Sequence, residues 1–345
     1  MEPHRGLRTS TPMHRTEHLL ATARDHQHDP TPSRGTLLRD PENATVEVEL
    51  PDDFDDFWAA GLADCASYPL DPVLTEMPAL STDQVIVYDL RYTSYGGLRI
   101  AGWYTVPRGG PAPYPALVTI PGYISEPTIP KEWSELGYAA LAVAPRGKLR
   151  SNSVFNPGYP GLLTHNIVDP NTYGYRGFYL DVVRAVEVLL DRPEVDNLRI
   201  GLQGSSQGGG LGISTAALMP DVIRCVAAGA PYLCGIMTAP TLARSYPYEE
   251  INEYLRVHPK DVDRVRETVA YYDGLNFAPK VQAPTLLYLG LEDDVCPPET
   301  GFALHRVLTC ETTFHTYPHC AHHAGLPGVM RIVEDFLAEH LSPGR

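Results

Sequence analysis

Residues 198–218 read LRIGLQGSSQGGGLGISTAAL, and this stretch decides the fold. The run LRIGLQ (198–203) has the composition of a short buried strand. It passes directly into Gly204-Ser205-Ser206-Gln207-Gly208, a GxSxG pattern, and then into a helix built from small residues. Strand, sharp turn and helix in this order are what a nucleophile elbow requires, with glycines around the serine because the turn leaves no room for side chains. Ser206 is therefore the candidate nucleophile, exposed at the carboxyl end of the sheet, while Ser205 occupies the variable position of the motif. GxSxG alone also occurs as a plain glycine-rich turn before a helix. Here both flanks match the elbow.

Working outward, short apolar runs recur at ALVTI (116–120), YAALAVA (138–144), CVAAGA (225–230) and TLLYLG (285–290), separated by helical patterns. Continuous apolar strands alternating with helices predict a parallel sheet covered on both faces. Tyr179, Val182, Val183, Val186, Leu189 and Leu190 recur at helical spacing within 174–190, which supplies one of the covering helices. Nearer the N-terminus, PDDFDDFWAAGLADCAS (51–67) reads as a helix with an acidic first turn. QVIVYDLRYTS (84–94) and LRIAGWYTVP (98–107) read as two strands joined at Gly96-Gly97. The predicted architecture is an α/β-hydrolase fold: a mostly parallel central sheet, helices on both faces and an N-terminal β-hairpin. Residues 1–43, rich in Pro, Thr, His and Arg and without sustained periodicity, are expected to form a mobile arm. Residues 44–345 form the single α/β domain.

Hydrophobic residues make up 43% and charged residues 20% of the 345 positions, as in soluble globular chains. A formal net charge of -15 disfavours nucleic acid or an anionic membrane as partner, because either needs a basic surface. The start MEPHRGLRTSTPMHRTEHLL lacks the apolar core of a secretory signal, and no apolar run is long enough to span a bilayer. The six cysteines form no CxxC pair and read as buried free thiols. These features predict a soluble, cytoplasmic protein. Early histidines His4, His14, His18 and His26 match no ligand spacing, and neither metal nor cofactor is expected.

A serine hydroxyl needs a base to accept its proton and an acid to fix that base's tautomer, supplied in this fold in the chain order Ser, acid, His. After TLLYLG, the turn GLEDDVCPP (290–298) offers Glu292, Asp293 and Asp294 just past a strand end, where such sheets place functional groups. FHTYPHCAHHAG (314–325) then offers His315, His319, His322 and His323 before a last helix with an apolar stripe from Val329 to Leu337. For the oxyanion hole, one N–H is expected from Gln207, after the nucleophile, and the other from the turn Pro121-Gly122-Tyr123 that follows ALVTI. The Tyr123 amide is the preferred donor.

With these pieces together, the chain from residue 51 to the final helix resembles the acetyl xylan esterase and cephalosporin C deacetylase family of carbohydrate esterases. YGYRGFYLDVVRAVEVL (173–189), GSSQGGG (204–210) and GLEDDVCPP carry the likeness. The resemblance implies a serine esterase that removes acetyl groups from O-acetylated sugars or related small alcohols without a cofactor. It selects Asp293 as the acid and, through YPHCAHH (317–323), His322 as the base, and its Gly-Tyr pair supports the Tyr123 amide. It also implies self-association, since family members form homohexamers. The chain departs from the family pattern at Arg146-Gly147-Lys148, where the family has Arg-Gly-Gln, at Ile124 beside the oxyanion turn, at His323, and in a shorter segment after Lys148. Arg146, Lys148 and Ile124 are accordingly assigned to site support or to the substrate entrance. Lys148 is read there either as a solvated charge or as a cation favouring a carboxylate-bearing acceptor. An alternative is a tailoring deacetylase or acyltransferase acting on an acetylated natural product with the same triad; a noncatalytic homologue would show a damaged triad, which this sequence does not.

Overall fold

The computed structural model describes residues 40–342 apart from 152, 154, 159 and 160; the expected arm, residues 1–43, lies almost wholly outside them. Nine strands form one sheet among the described residues: β1 (Val73–Glu76), β2 (Val85–Thr93), β3 (Arg99–Pro107), β4 (Tyr114–Ile120), β5 (Ala139–Ala144), β6 (Val195–Ser205), β7 (Ile223–Gly229), β8 (Thr285–Gly290) and β9 (Thr312–Tyr317). Their order is β1-β2-β3-β5-β4-β6-β7-β8-β9. From β5 to β9 every pairing is parallel, while β1, β2 and β3 pair antiparallel. The sheet is thus the mostly parallel α/β-hydrolase sheet that the sequence predicts, with β2 and β3 as the expected hairpin. The short edge strand β1 was not foreseen, because VLTE is mostly exposed and carries no apolar alternation.

Period-two alternation explains why the central strands read as unbroken apolar runs. Ala116, Val118 and Ile120 of β4 face one core, which contains the helix Gly174–Leu190 and the helix Gln207–Leu218. Leu117 faces the other, packed with Trp133 and with Val333, Phe336 and Leu337 of the final helix Val329–Leu341. Both faces of the strand are covered, so both sets of positions must be apolar. The functional consequence is positional. The parallel strands all direct their carboxyl ends to one edge, and the loops after β4, β5, β6, β8 and β9 meet there.

One polar contact fixes how β5 leaves the sheet. The helix Gly174–Leu190 is buried almost all round, including Asp181, because the helix Phe54–Ala66, the turn at Tyr95–Gly97 and the rings of Tyr272 and Phe277 also pack against it. Asp181 Oδ2 accepts from the backbone N–H and Nε of Arg146, each at 2.9 Å, and Oδ1 accepts from Arg146 Nη2 at 2.8 Å and Ser94 Oγ at 2.5 Å. Arg146 Nη2 also donates to Tyr95 O at 3.0 Å. Removing one partner of a buried pair strands the other charge, which costs about 3–5 kcal/mol. Asp181→Asn is therefore expected to lower the Tm by on the order of 10 °C, measured by calorimetry. A shift no larger than that of a surface carboxylate would show that the pair does not hold this junction.

Candidate active site

Ser206 stands between the last residue of β6 and the first of the helix Gln207–Leu218, with φ 58 and ψ -123. A non-glycine residue in that region is strained and persists only where its surroundings over-determine it. Here its N–H donates to Gly229 O at 2.8 Å, and its carbonyl accepts from Tyr232 N at 2.9 Å and Gly210 N at 3.1 Å. The flanking glycines are sterically required. A Cβ on Gly208 would lie 2.0 Å from Ile120 O, and one on Gly204 would lie 2.5 Å from the carbonyl carbon of Gly208. The residue is more enclosed than the sequence reading expects, at 9% exposure. Gly122 packs against it, with its Cβ position 3.8 Å from Ser206 Cβ.

The acidic turn and the histidine cluster resolve into two carboxylate–imidazole pairs. His322 Nδ1 lies 2.8 Å from Asp293 Oδ2, and His319 Nδ1 lies 2.9 Å from Glu292 Oε1. The bond lengths do not separate them, but the surroundings do. The side chains of His322 and Asp293 are 29% and 1% exposed, those of His319 and Glu292 91% and 61%. Only the first pair is shielded from bulk solvent. Asp293 Oδ1 also accepts from Val295 N at 2.8 Å and Cys296 N at 2.9 Å, so both carboxylate oxygens are engaged and its orientation is set. Asp294 and His323 are exposed. The structure thus brings Asp293 and His322 together and leaves Asp294, His319 and His323 at the surface.

Lys148 requires a correction. The sequence reading assigns it to site support or to the entrance, there as a solvated charge or an acceptor-binding cation; at 2% exposure the entrance reading falls and support remains. Its Nζ donates to the backbone carbonyls of both Gly122 and Tyr123. The loop after β5 leaves the Arg146–Asp181 junction toward the end of β4, so the long side chain ends on the turn Gly122-Tyr123. Burial pushes its ammonium down to about 8, against the opposing pull of Glu126. Glu126 also ties the two loops through Oε1, which accepts from Leu149 N at 2.6 Å. Arg146 is buried in its ion pair, and Ile124 is 93% exposed on the turn itself.

The Tyr123 side chain has a second anchorage that the sequence gives no sign of. Its hydroxyl donates to Glu250 Oε1 and accepts from Leu162 N at 2.9 Å and Leu163 N at 3.3 Å. Glu250 Oε2 takes the Leu163 N–H as well, at 3.1 Å. Burial pushes the Glu250 carboxyl up to about 7, opposed by these hydrogen bonds. Glu250 lies on the helix Glu249–Val257, 127 residues along the chain from Tyr123, so only the tertiary fold makes them neighbours. Gln207, the other candidate donor, is fully buried at the start of its helix, where the first-turn N–H groups have no partner within the helix.

Comparison with known proteins shows the family. A family model described as acetyl xylan esterase (AXE1) matches residues 42–340. The acetyl esterase Axe7A of Xylanibacter ruminicola is 29% identical over 285 residues, which cover 78% of this chain and 63% of that protein's own length. The acetyl xylan esterase from Paenibacillus sp. R4 superposes with a TM-score of 0.82 at 32% identity, covering 87% of this chain and 98% of that one. Acetyl xylan esterase 1 from Thermoanaerobacterium sp. JW/SL YS485 gives a TM-score of 0.81 at 27% identity, over 88% of this chain and 99% of the other. The match of the family model from before the first helix to the last places the whole α/β-hydrolase sheet and its carboxyl-end loops in one lineage, and the chain belongs to the acetyl xylan esterase family.

Proposed function

We propose that this protein is a serine carboxylic-ester hydrolase that removes acetyl groups from O-acetylated sugars or related small alcohols through an acyl-enzyme. The observation that carries the reading is the shielded Asp293–His322 pair, at the same sheet edge as the strained Ser206 turn, in a chain of this family. Ser206 Oγ attacks the acetyl carbonyl while His322 Nε2 accepts its proton; Asp293, bonded to Nδ1–H, keeps Nε2 turned to the serine. The backbone N–H groups of Tyr123 and Gln207 meet the negative charge that develops on the carbonyl oxygen. Collapse of the tetrahedral intermediate breaks the ester C–O bond. His322 gives its proton to the departing alcohol, and the acetyl group remains on Ser206. Water, deprotonated by the same histidine, then releases acetate and restores the serine.

No helix among the described residues is long and apolar enough to cross a membrane. All six cysteines are free thiols, which supports a reducing, cytoplasmic location as part of the proposal. Assembly into a homo-oligomer also belongs to it; the exposed apolar side chains of Ile124 and Leu149 on the loops after β4 and β5 support such a contact.

Two tests follow from this reading. Ser206→Ala is expected to lower kcat/KM for an acetyl ester by on the order of a thousandfold or more while the protein stays folded. Asp293→Asn and His322→Ala should each cause severe loss, whereas Asp294→Asn and His323→Ala keep substantial activity. Near-normal turnover by Ser206→Ala, or an essential His323, would refute the assignment of roles. On the substrate side, kcat/KM measured across acetyl, butyryl and octanoyl esters of one alcohol should fall with acyl length. A preference for octanoyl would exclude deacetylation as the main activity.

A further inference from the structure

The environment of Lys148 reaches beyond loop support. The Gly122 carbonyl that its ammonium binds belongs to the same peptide unit as the Tyr123 N–H. A cation on a peptide oxygen draws electron density through the amide and makes the N–H a stronger donor. The Tyr123 carbonyl, in the next peptide unit, is held by the same nitrogen, so two successive peptide units are tied to one cation. Gly122 itself is packed against Ser206. We propose that Lys148 is a positioning residue for the ester-cleaving step: it fixes the Gly122–Tyr123 peptide with its N–H toward the developing oxyanion and, being charged, strengthens that donor. The inference rests on the reading of the Tyr123 amide as an oxyanion donor.

The charge is a distinct component of this role. A glutamine amide can also donate to two carbonyls, so geometry survives its substitution while the positive charge does not. The ammonium is pushed down to about 8 by burial, and Lys148 therefore loses its charge as pH rises through that value. The charged groups around it limit what else titrates there. Glu126 faces it from the loop after β4 and favours the charged form. Arg146 and Arg150, on its own loop, are paired with Asp181 and Asp89. Beyond Tyr123 lies Glu250, whose carboxyl, pushed up to about 7 by burial, gains its charge just below the range in which Lys148 loses its own. Across the site stand Asp293 and His322.

The test compares the full-length protein with Lys148→Gln. The kcat for an acetyl ester is expected to fall roughly tenfold to a hundredfold with KM changed far less, because weakening an oxyanion donor acts on the transition state. Affinity for a trifluoromethyl ketone, which forms a tetrahedral oxyanion adduct with a serine, should fall by a similar factor. Wild type should lose activity as pH rises through about 8, and Lys148→Gln should lack that alkaline limb. Unchanged kcat, or an unchanged limb, in a folded Lys148→Gln overturns the proposal. Should that variant not fold, Glu126→Gln decides: it removes the carboxylate that favours the ammonium and keeps an oxygen for Leu149 N, so the limb must move to lower pH, and a limb that stays in place overturns the proposal equally. Ser206→Ala separates the two levels. If it is inactive while Lys148→Gln behaves as wild type, only this inference fails; if Ser206→Ala stays active, the reading beneath it fails.

Discussion

Asp181 has no solvent exposure and receives four donors on its two oxygens, three of them from Arg146. The geometry at the carboxyl edge of the sheet follows from that saturation. Arg146 is held by its own backbone N–H as well as its guanidinium, so the ion pair clamps the direction of the main chain as β5 ends. A buried pair of this kind gains little over well-packed apolar groups, and net stability does not account for it. What it supplies is direction. Within two residues the chain has turned through Gly147, at φ +83, and delivers Lys148 to the turn after β4.

Medium rather than contact decides the chemistry of the next loop. Glu292–His319 and Asp293–His322 have almost the same separation, and sequence alone offers both. In solvent such a pair is screened and contributes little. Behind the turn, with Val295 N and Cys296 N completing its shell, Asp293 is a fixed dipole partner for one imidazole nitrogen and leaves the other directed by the ring. The clustering of acids and histidines along the chain conceals a sharp difference in exposure.

What could be read in the sequence sorts by range. The elbow was legible because its constraint is local: Gly204 and Gly208 are forced by backbone atoms within the strand–turn–helix unit or the adjacent strand, and the pattern records that crowding. The central strands were legible because burial on both faces leaves an unbroken apolar run. β1 was not, since an exposed four-residue edge strand has neither signal. Lys148 was misread for a related reason. A lysine in a polar loop looks solvated, and only the return of that loop over the sheet buries it. Glu250 and Leu163, which meet at the Tyr123 hydroxyl, come from separate stretches of chain, and no spacing rule connects them.

The oxyanion donor proposed at Tyr123 is made of backbone, which leaves no side chain for a sequence motif to mark. Its orientation is set on the far side of the peptide, by whatever holds the carbonyls. Here the Gly122–Tyr123 unit is held at its oxygens by Lys148, while the phenol that follows is tethered to Glu250 and to two further N–H groups. Neither restraint touches Ser206, Asp293 or His322 by any hydrogen bond found among the described residues. Position 148 thus reaches Ser206 only through the packing of Gly122. On the proposed role, a buried cation there makes the donor responsive to pH, and two proteins with the same elbow and the same acid–base pair would differ in rate and pH range through a residue that only grips backbone oxygens.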